Sequence, residues 1–151
     1  MPSITALIPA RSGSKRIKDK NIRSLNGVPL LAYTIAAAKE SGIFKHIILS
    51  SDSVAYCELA ASYDISAVLR QAEFALDSSP DFEWLSAVSN LLDYGGCFAI
   101  LRTTSPFRTA DTIKRAWHHF LDNQPCDSLR AVEPVKQHPG KMWIEDERFI
   151  R

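Results

Sequence analysis

The sequence predicts an α/β fold, with a mostly parallel sheet covered by helices on both faces, and two observations carry the prediction. Short apolar, β-prone runs recur at residues 4–8 (ITALI), 46–52 (HIILSSD), 65–69 (ISAVL), 97–101 (CFAIL) and 128–135 (SLRAVEPV). Between most of them lie longer segments with helical composition or helical end signals, and parallel neighbours need such crossovers because a tight turn cannot join them. Runs such as ITALI and CFAIL suit strands buried on both faces.

Taken in order, ITALI ends at Pro9 and passes into a loop carrying Arg11, Lys15, Arg16, Lys18 and Lys20. Pro29 opens LLAYTIAAAKES and Gly42 closes it, which is the placement of proline and glycine expected at the two ends of a helix. After HIILSSD, Asp52 or Ser53 is positioned to cap a helix running through Tyr63. Residues 70–80 are polar without a clear period and read as a long loop over the strand ends. From about Asp81 to Tyr94, residues Trp84, Val88, Leu91 and Leu92 fall at helical spacing, and Gly95-Gly96 ends the run. Thr109 is the expected N-cap of ADTIKRAWHHFLDN, with Asp111 well placed in the first turn.

Size and charge narrow the function classes. A chain of 151 residues with 46% apolar content suits one compact domain spanning residues 1–151. Lysine and arginine total 18 against 17 acidic residues, so no global field draws nucleic acid or an anionic membrane, and an anion site must be local. No apolar stretch approaches the ~20 residues of a membrane span, and no signal-peptide pattern follows Met1, so a cytoplasmic protein is expected. Cys57, Cys97 and Cys126 are too scattered for a disulfide framework or a zinc site and are expected as reduced thiols in or near the core. His118 and His119 are adjacent on a predicted helix, point to different faces and form no metal pair. No metal ligands are identified. Trp84, Trp117 and Trp143 are expected as core or interface aromatics.

Ligands of parallel sheets bind beyond the carboxyl ends of the strands. That rule gathers the basic loop, Asp52, the 70–80 loop and the 102–109 loop at one rim. Within ARSGSK, Gly13 and the flanking serines allow close backbone approach to a ligand, while Arg11 offers a fork and Lys15 a point charge for phosphate oxygens. The segment lacks both GxxxxGK[ST] and GxGxxG, so neither a P-loop nor a dinucleotide fingerprint applies. The plainer alternative is a solvated basic loop.

IPARSGSKRIKDKNI followed by NGVPLLAYTI, then SGIFKHIILSSD, YDISAVLRQAEFALDSS, LRTTSPFRTADTI and HPGKMW, in that order, resemble the N-acylneuraminate cytidylyltransferases (CMP-sialic acid synthetases) and relatives acting on related nonulosonic acids. The resemblance covers nearly the whole chain. It implies a three-layer α/β/α sandwich with a Rossmann-like sheet of the nucleotide-diphospho-sugar transferase kind. It also implies CTP and a nonulosonic acid as substrates, magnesium as cofactor, and CMP transfer with release of pyrophosphate. Arg11 and Lys15 would carry catalysis by holding the triphosphate, together with Lys20. Asn21 would lie beside the nucleotide, and Arg70 with Ser79 would line the base pocket. Arg102, Thr104, Ser105, Arg108 and Lys141 would border the sugar acid. Turn formation and helix capping are the structural alternatives for Ser105 and Thr109, as is a surface ion pair for Arg108.

The chain departs from the family pattern in three places. Arg102 and Thr103 replace the glutamine and proline of LQPTSP, so a guanidinium would alter the hydrogen bonding on the sugar side or fill the pocket. Asp81 follows Ser79-Pro80 where the family has small residues and serines. Family members also continue beyond the equivalent of Arg151 through a dimerisation segment and an acidic motif that holds the catalytic metal. Without those carboxylates phosphoryl transfer is expected to be impaired, since the metal neutralises charge at the reacting centre. Asp52 is the acidic residue at the rim to consider as a substitute, or else as a helix cap. The readings to separate are therefore a working cytidylyltransferase and a shortened, non-catalytic nucleotide binder or half-site completed by a partner chain. Another enzyme of the same fold acting on a 3-deoxy-ulosonate is the third. Uncovered apolar surface leads us to expect a homo-oligomer or a partner chain.

Overall fold

Ile4–Pro9 form the central strand, β1, with five of its six side chains buried. The computed structural model describes residues 2–14, 16–71, 84–86, 88, 96–132, 134, 145–146 and 149–150. After β1 the chain makes a 3-10 turn at Lys20–Ile22 and two short strands, β2 (Ser24–Leu25) and β3 (Val28–Pro29). Helix α1 (Leu30–Ser41), strand β4 (His46–Ser51), helix α2 (Val54–Ser62) and strand β5 (Ser66–Leu69) follow. Strand β6 (Cys97–Ile100), helix α3 (Ala110–Asp122) and the short pair β7 (Glu145–Asp146) and β8 (Phe149–Ile150) complete the described elements.

The main sheet has four strands in the order β5-β4-β1-β6, and every ladder in it is parallel. Side-chain alternation divides its two faces. Ala6 and Ile8 of β1 and Leu49 of β4 pack with Leu31 and Ile35 of α1, Tyr56 and Ala60 of α2, and Ile113 of α3. The intervening Leu7 and Ile48 pack on the opposite face against Trp84 and Val88, which with their described neighbours are helical. Helices therefore cover both faces, and the three-layer expectation holds. Burying Leu7, Ile8, Ile48 and Leu49 stabilises the sheet by roughly 1.5–3 kcal/mol each.

Gly42 ends α1 in the left-handed conformation at φ 65°, and its N–H donates to the Lys39 carbonyl, a conformation that costs little without a Cβ. The hairpin β2-β3 was not foreseen, although its turn is Asn26-Gly27, both at positive φ, the strongest short-range signal for a type I′ turn. The hydroxyl of Tyr33 on α1 donates to the Leu25 carbonyl at 2.7 Å and holds the hairpin to the helix.

Two expectations are corrected. Ser128 to Val132 and Pro134 form no strand. Leu129 and Val132 are exposed, and Pro134 has no N–H for a ladder. Ser53 occupies the N-cap position of α2 but its side chain makes no capping bond, and Asp52 is engaged elsewhere. The 72–80 part of the expected loop, most of the helix expected over 81–94, and Trp143 lie outside the described residues.

Candidate functional site

The order β5-β4-β1-β6 sends the chain from β1 through α1 to one side, while β6 lies against the other side of β1. The carboxyl ends of β1 and β6 thus flank a topological switch point, where open α/β sheets bind their ligands. Two loops meet there: residues 10–23 after β1 and 101–109 after β6. Leu101 N–H still donates to the Leu7 carbonyl at 2.9 Å, so the second loop leaves the sheet beside the first.

The loop after β1 is held at both ends. At its start, Ser12 donates twice to the carboxylate of Asp52: its N–H to Oδ1 at 2.8 Å and its hydroxyl to Oδ2 at 3.0 Å. Asp52 directly follows β4, so this pair fastens the loop to the neighbouring strand. At its far end Asn21, 4% exposed, donates from Nδ2 to the Arg11 carbonyl at 2.8 Å. Its Oδ1 accepts the hydroxyl of Thr103 at 2.6 Å. One amide therefore closes the loop on itself and ties it to the loop after β6. Asp19 turns the backbone at φ 52°, and its carbonyl accepts the N–H groups of Ile22 and Arg23.

On this frame Arg11 and Lys20 are half-buried, while Arg16 and Lys18 are exposed. Lys15 lies outside the described residues, as do Ser79 and Lys141. Arg70 leaves the end of β5 with its N–H on the Ser51 carbonyl at 2.8 Å, and its guanidinium carbon is 5.8 Å from the centre of the buried Trp84 ring. Cation–π attraction and packing orient it. Its strand is two positions from β1, about 10 Å across the sheet.

Past β6, Arg102, Thr104 and Ser105 are exposed, whereas Thr103 is buried. Arg108 is half-buried. Its Nη2 donates to the Arg102 carbonyl at 3.4 Å, and its Nη1 is buried with no acceptor among the described residues. Desolvation by burial lowers its pKa. No ion pair of Arg108 occurs among the described residues, so the surface-pair alternative is unsupported there. The hydroxyl of Thr109 accepts the Thr112 N–H at 3.2 Å, which makes it the cap of α3 as expected. His118 and His119 are exposed.

Charge beneath the loop is acidic. Burial, then Asp19 and Asp52, raise the pKa of Tyr56, whose buried hydroxyl has no hydrogen-bond partner among the described residues. Burial, Asp52 and Glu58 raise that of Cys57, so its thiol stays protonated and unreactive. All three cysteines are half-buried thiols. Among the described residues no three His, Cys, Asp or Glu side chains gather into a metal-binding group. Asp52, considered as a metal ligand, spends both carboxylate oxygens on Ser12. No chemical step is assigned to the metal. No helix among them is long and apolar enough to cross a membrane.

The linking roles of Ser12, Asp52 and Thr103 were not apparent from residue types. The available signal was a polar residue at each of three strand exits, Ser12 after β1, Asp52 after β4 and Thr103 after β6.

Comparison with known proteins agrees with this fold. The sequence model of the family described as Cytidylyltransferase matches residues 5–139. An N-acylneuraminate cytidylyltransferase of Escherichia coli O18:K1:H7 is 46% identical over 126 residues, which are 82% of this chain and 30% of that protein. A CMP-N,N'-diacetyllegionaminic acid synthase of Legionella pneumophila is 39% identical over 145 residues, covering 91% of this chain and 60% of the relative. The chain spans about a third of the length of the N-acylneuraminate relatives it matches. A solved CMP:2-keto-3-deoxy-manno-octonic acid synthetase complexed with CTP superposes with a TM-score of 0.70 at 15% identity, over 82% of this chain and 49% of that one, which shows the shared Rossmann-like fold. With the family model spanning both loops of the switch point, the chain belongs to the cytidylyltransferase family.

Proposed function

We propose that this chain, as a single nucleotide-binding domain, binds CTP across the carboxyl ends of its sheet and transfers CMP to a sialic-acid-like nonulosonic acid. The acceptor's anomeric hydroxyl oxygen attacks the α-phosphorus, the bond to the bridging oxygen of the β-phosphate breaks, pyrophosphate leaves, and the hydroxyl proton passes to solvent. Catalysis of this kind rests on alignment and charge neutralisation. The observation that carries the reading is the basic loop fastened at the switch point by Asp52, Asn21 and Thr103. A tethered loop loses little freedom when a triphosphate binds, so more of the attraction to Arg11, Lys15 and Lys20 is realised as affinity.

Asn21 lies beside the nucleotide in this reading and holds the loop there through its bonds to the Arg11 carbonyl and the Thr103 hydroxyl. Arg70, with Ser79, is assigned to the base. Arg108 suits the acceptor's carboxylate, because its buried Nη1 has no acceptor among the described residues and a carboxylate would supply one. Arg102, Thr104, Ser105 and Lys141 complete the acceptor side in this reading. The family relatives named for N-acylneuraminate and N,N'-diacetyllegionaminate support a nonulosonic acid over a 3-deoxy-ulosonate. Magnesium enters with the triphosphate, where it would shield the phosphate charge. A cytoplasmic setting supplies CTP and keeps the three thiols reduced. Exposed Phe107 and Ile100 support association with a second copy or a partner chain.

A second reading is nucleotide binding without turnover, in which the basic loop holds the triphosphate and no transfer follows. Incubation with CTP, magnesium and N-acetylneuraminate, followed by phosphorus NMR, separates the readings. A CMP-sugar resonance together with pyrophosphate supports transfer. The same product with a 3-deoxy-octulosonate alone would move the acceptor to that branch. Bound CTP that stays intact would leave the binding role.

A further inference from the structure

We infer that Thr103 is a positioning residue of the nucleotide site, acting through Asn21 on the peptide of Arg11. The inference rests on the reading of the basic loop as a triphosphate site. It adds a residue that the resemblance did not assign to the site.

The geometry is a relay of two hydrogen bonds. The Thr103 hydroxyl donates to Asn21 Oδ1 at 2.6 Å, and Asn21 Nδ2 donates to the Arg11 carbonyl at 2.8 Å. The orientation of the amide is settled by chemistry. A carbonyl can only accept, so the atom facing Arg11 is the nitrogen, the atom facing Thr103 is the oxygen, and the hydroxyl must be the donor. Thr103 and Asn21 are 2% and 4% exposed, so water is poorly placed to replace a lost bond. The two residues are 82 positions apart in the chain and belong to different loops, which makes this contact a direct link between the β1 exit and the β6 exit.

Removing the Thr103 hydroxyl leaves Asn21 Oδ1 short of a donor in a buried setting. Rotating the amide does not help, because it would set Oδ1 against the Arg11 carbonyl. Asn21 then has one anchor in place of two, and the Arg11–Ser12 peptide is held less firmly at its carbonyl, while its N–H stays bonded to Asp52. The Arg11 side chain springs from the Cα at one end of that peptide, so a looser carbonyl widens the range of positions open to its guanidinium. The predicted cost therefore falls on nucleotide affinity and passes through Arg11.

The test is calorimetric titration of the 151-residue chain with CTP, comparing Thr103→Val, Thr103→Ser, Arg11→Ala and Thr103→Val combined with Arg11→Ala. Thr103→Val is expected to weaken CTP binding by about 5- to 10-fold, the scale of one buried hydrogen bond. Thr103→Ser, which keeps the hydroxyl, should bind CTP within about twofold of the parent. In the Arg11→Ala background Thr103→Val should add less than about twofold, because residues acting through one group are not additive. Thr109→Ala serves as the stability control, since it removes the cap of α3 without touching Asn21, and it should lower the melting temperature but leave CTP affinity in place. Parent-like binding by Thr103→Val while Arg11→Ala binds weakly would overturn the inference and leave the triphosphate site standing. A full additional loss in the double variant would also overturn it, by showing a general structural effect. If Arg11→Ala binds CTP like the parent, the triphosphate reading fails and this inference fails with it.

Discussion

Ser12, Asp52, Asn21 and Thr103 carry little of the charge expected at a triphosphate site, yet they decide where that charge is held. Asp52 is the clearest case. Its carboxylate accepts both the N–H and the hydroxyl of Ser12, and bonds to an ionised acceptor are the stronger kind. Asp52→Ala should lower stability by about 1–3 kcal/mol in urea unfolding and weaken CTP binding in the same preparation. Unchanged stability would mean that the loop is held some other way. Tyr56 gives a pH test. Burial first, then Asp19 and Asp52, raise its pKa from the ordinary 10.0. The stability that rests on its neutral phenol is therefore complete below pH 10.0 and is lost as the pH climbs from there through the raised folded value. Tyr56→Phe cannot ionise, so it should lose less stability than the parent above that pH. At neutral pH it should cost little, since the hydroxyl has no partner among the described residues. Matched alkaline decline in parent and variant would contradict the assignment. The basic positions Arg11 and Lys20 were legible in the sequence because charge clusters are visible in a string of letters. The Thr103–Asn21 contact was not, because it joins residues 82 apart that only the strand order brings together.

Elements with strong end signals were read correctly. Pro29 and Gly42 bracket α1, and Thr109 caps α3, because proline, glycine and a capping hydroxyl act locally and need no tertiary partner. Thr109→Ala should cost about 1 kcal/mol, measured by thermal unfolding, and no loss would assign the start of α3 to other contacts. The turn of β2-β3 makes a second test. Gly27 sits at φ 81° and an added Cβ would meet no atom within 4 Å, so Gly27→Ala should cost only backbone strain, about 1–2 kcal/mol. A larger loss in urea unfolding would show that the hairpin carries packing not evident at that position. The strand expected over 128–135 failed for a tertiary reason. β propensity at Leu129 and Val132 counts only when a neighbouring edge and a buried face are available, and both side chains are exposed. Asp52 was misassigned in the same way: a residue suited by type to cap α2 found a stronger partner in a loop 40 positions away.

Across the molecule a net charge of +1 means that the proposed triphosphate would be drawn by the loop after β1 and not by a general field. Such attraction is screened once ions crowd within about 10 Å, near 0.1 M salt. CTP affinity should therefore fall with added salt in the parent and fall less steeply in Arg11→Ala. Equal slopes would remove Arg11 from the phosphate contact. The parallel order β5-β4-β1-β6 supplies the rest of the account, since it brings the exits of β1 and β6 together, with Arg70 two strands from β1. The layered fold was legible because apolar runs and helical segments alternate along the chain. The switch point needed the strand order. The central claim is that this rim binds CTP, and calorimetric titration with CTP and separately with ATP tests it most directly. The account predicts saturable binding of CTP, weaker binding of ATP, and loss of most CTP affinity in Arg11→Ala. Absence of CTP binding, or equal binding of both nucleotides, would contradict it.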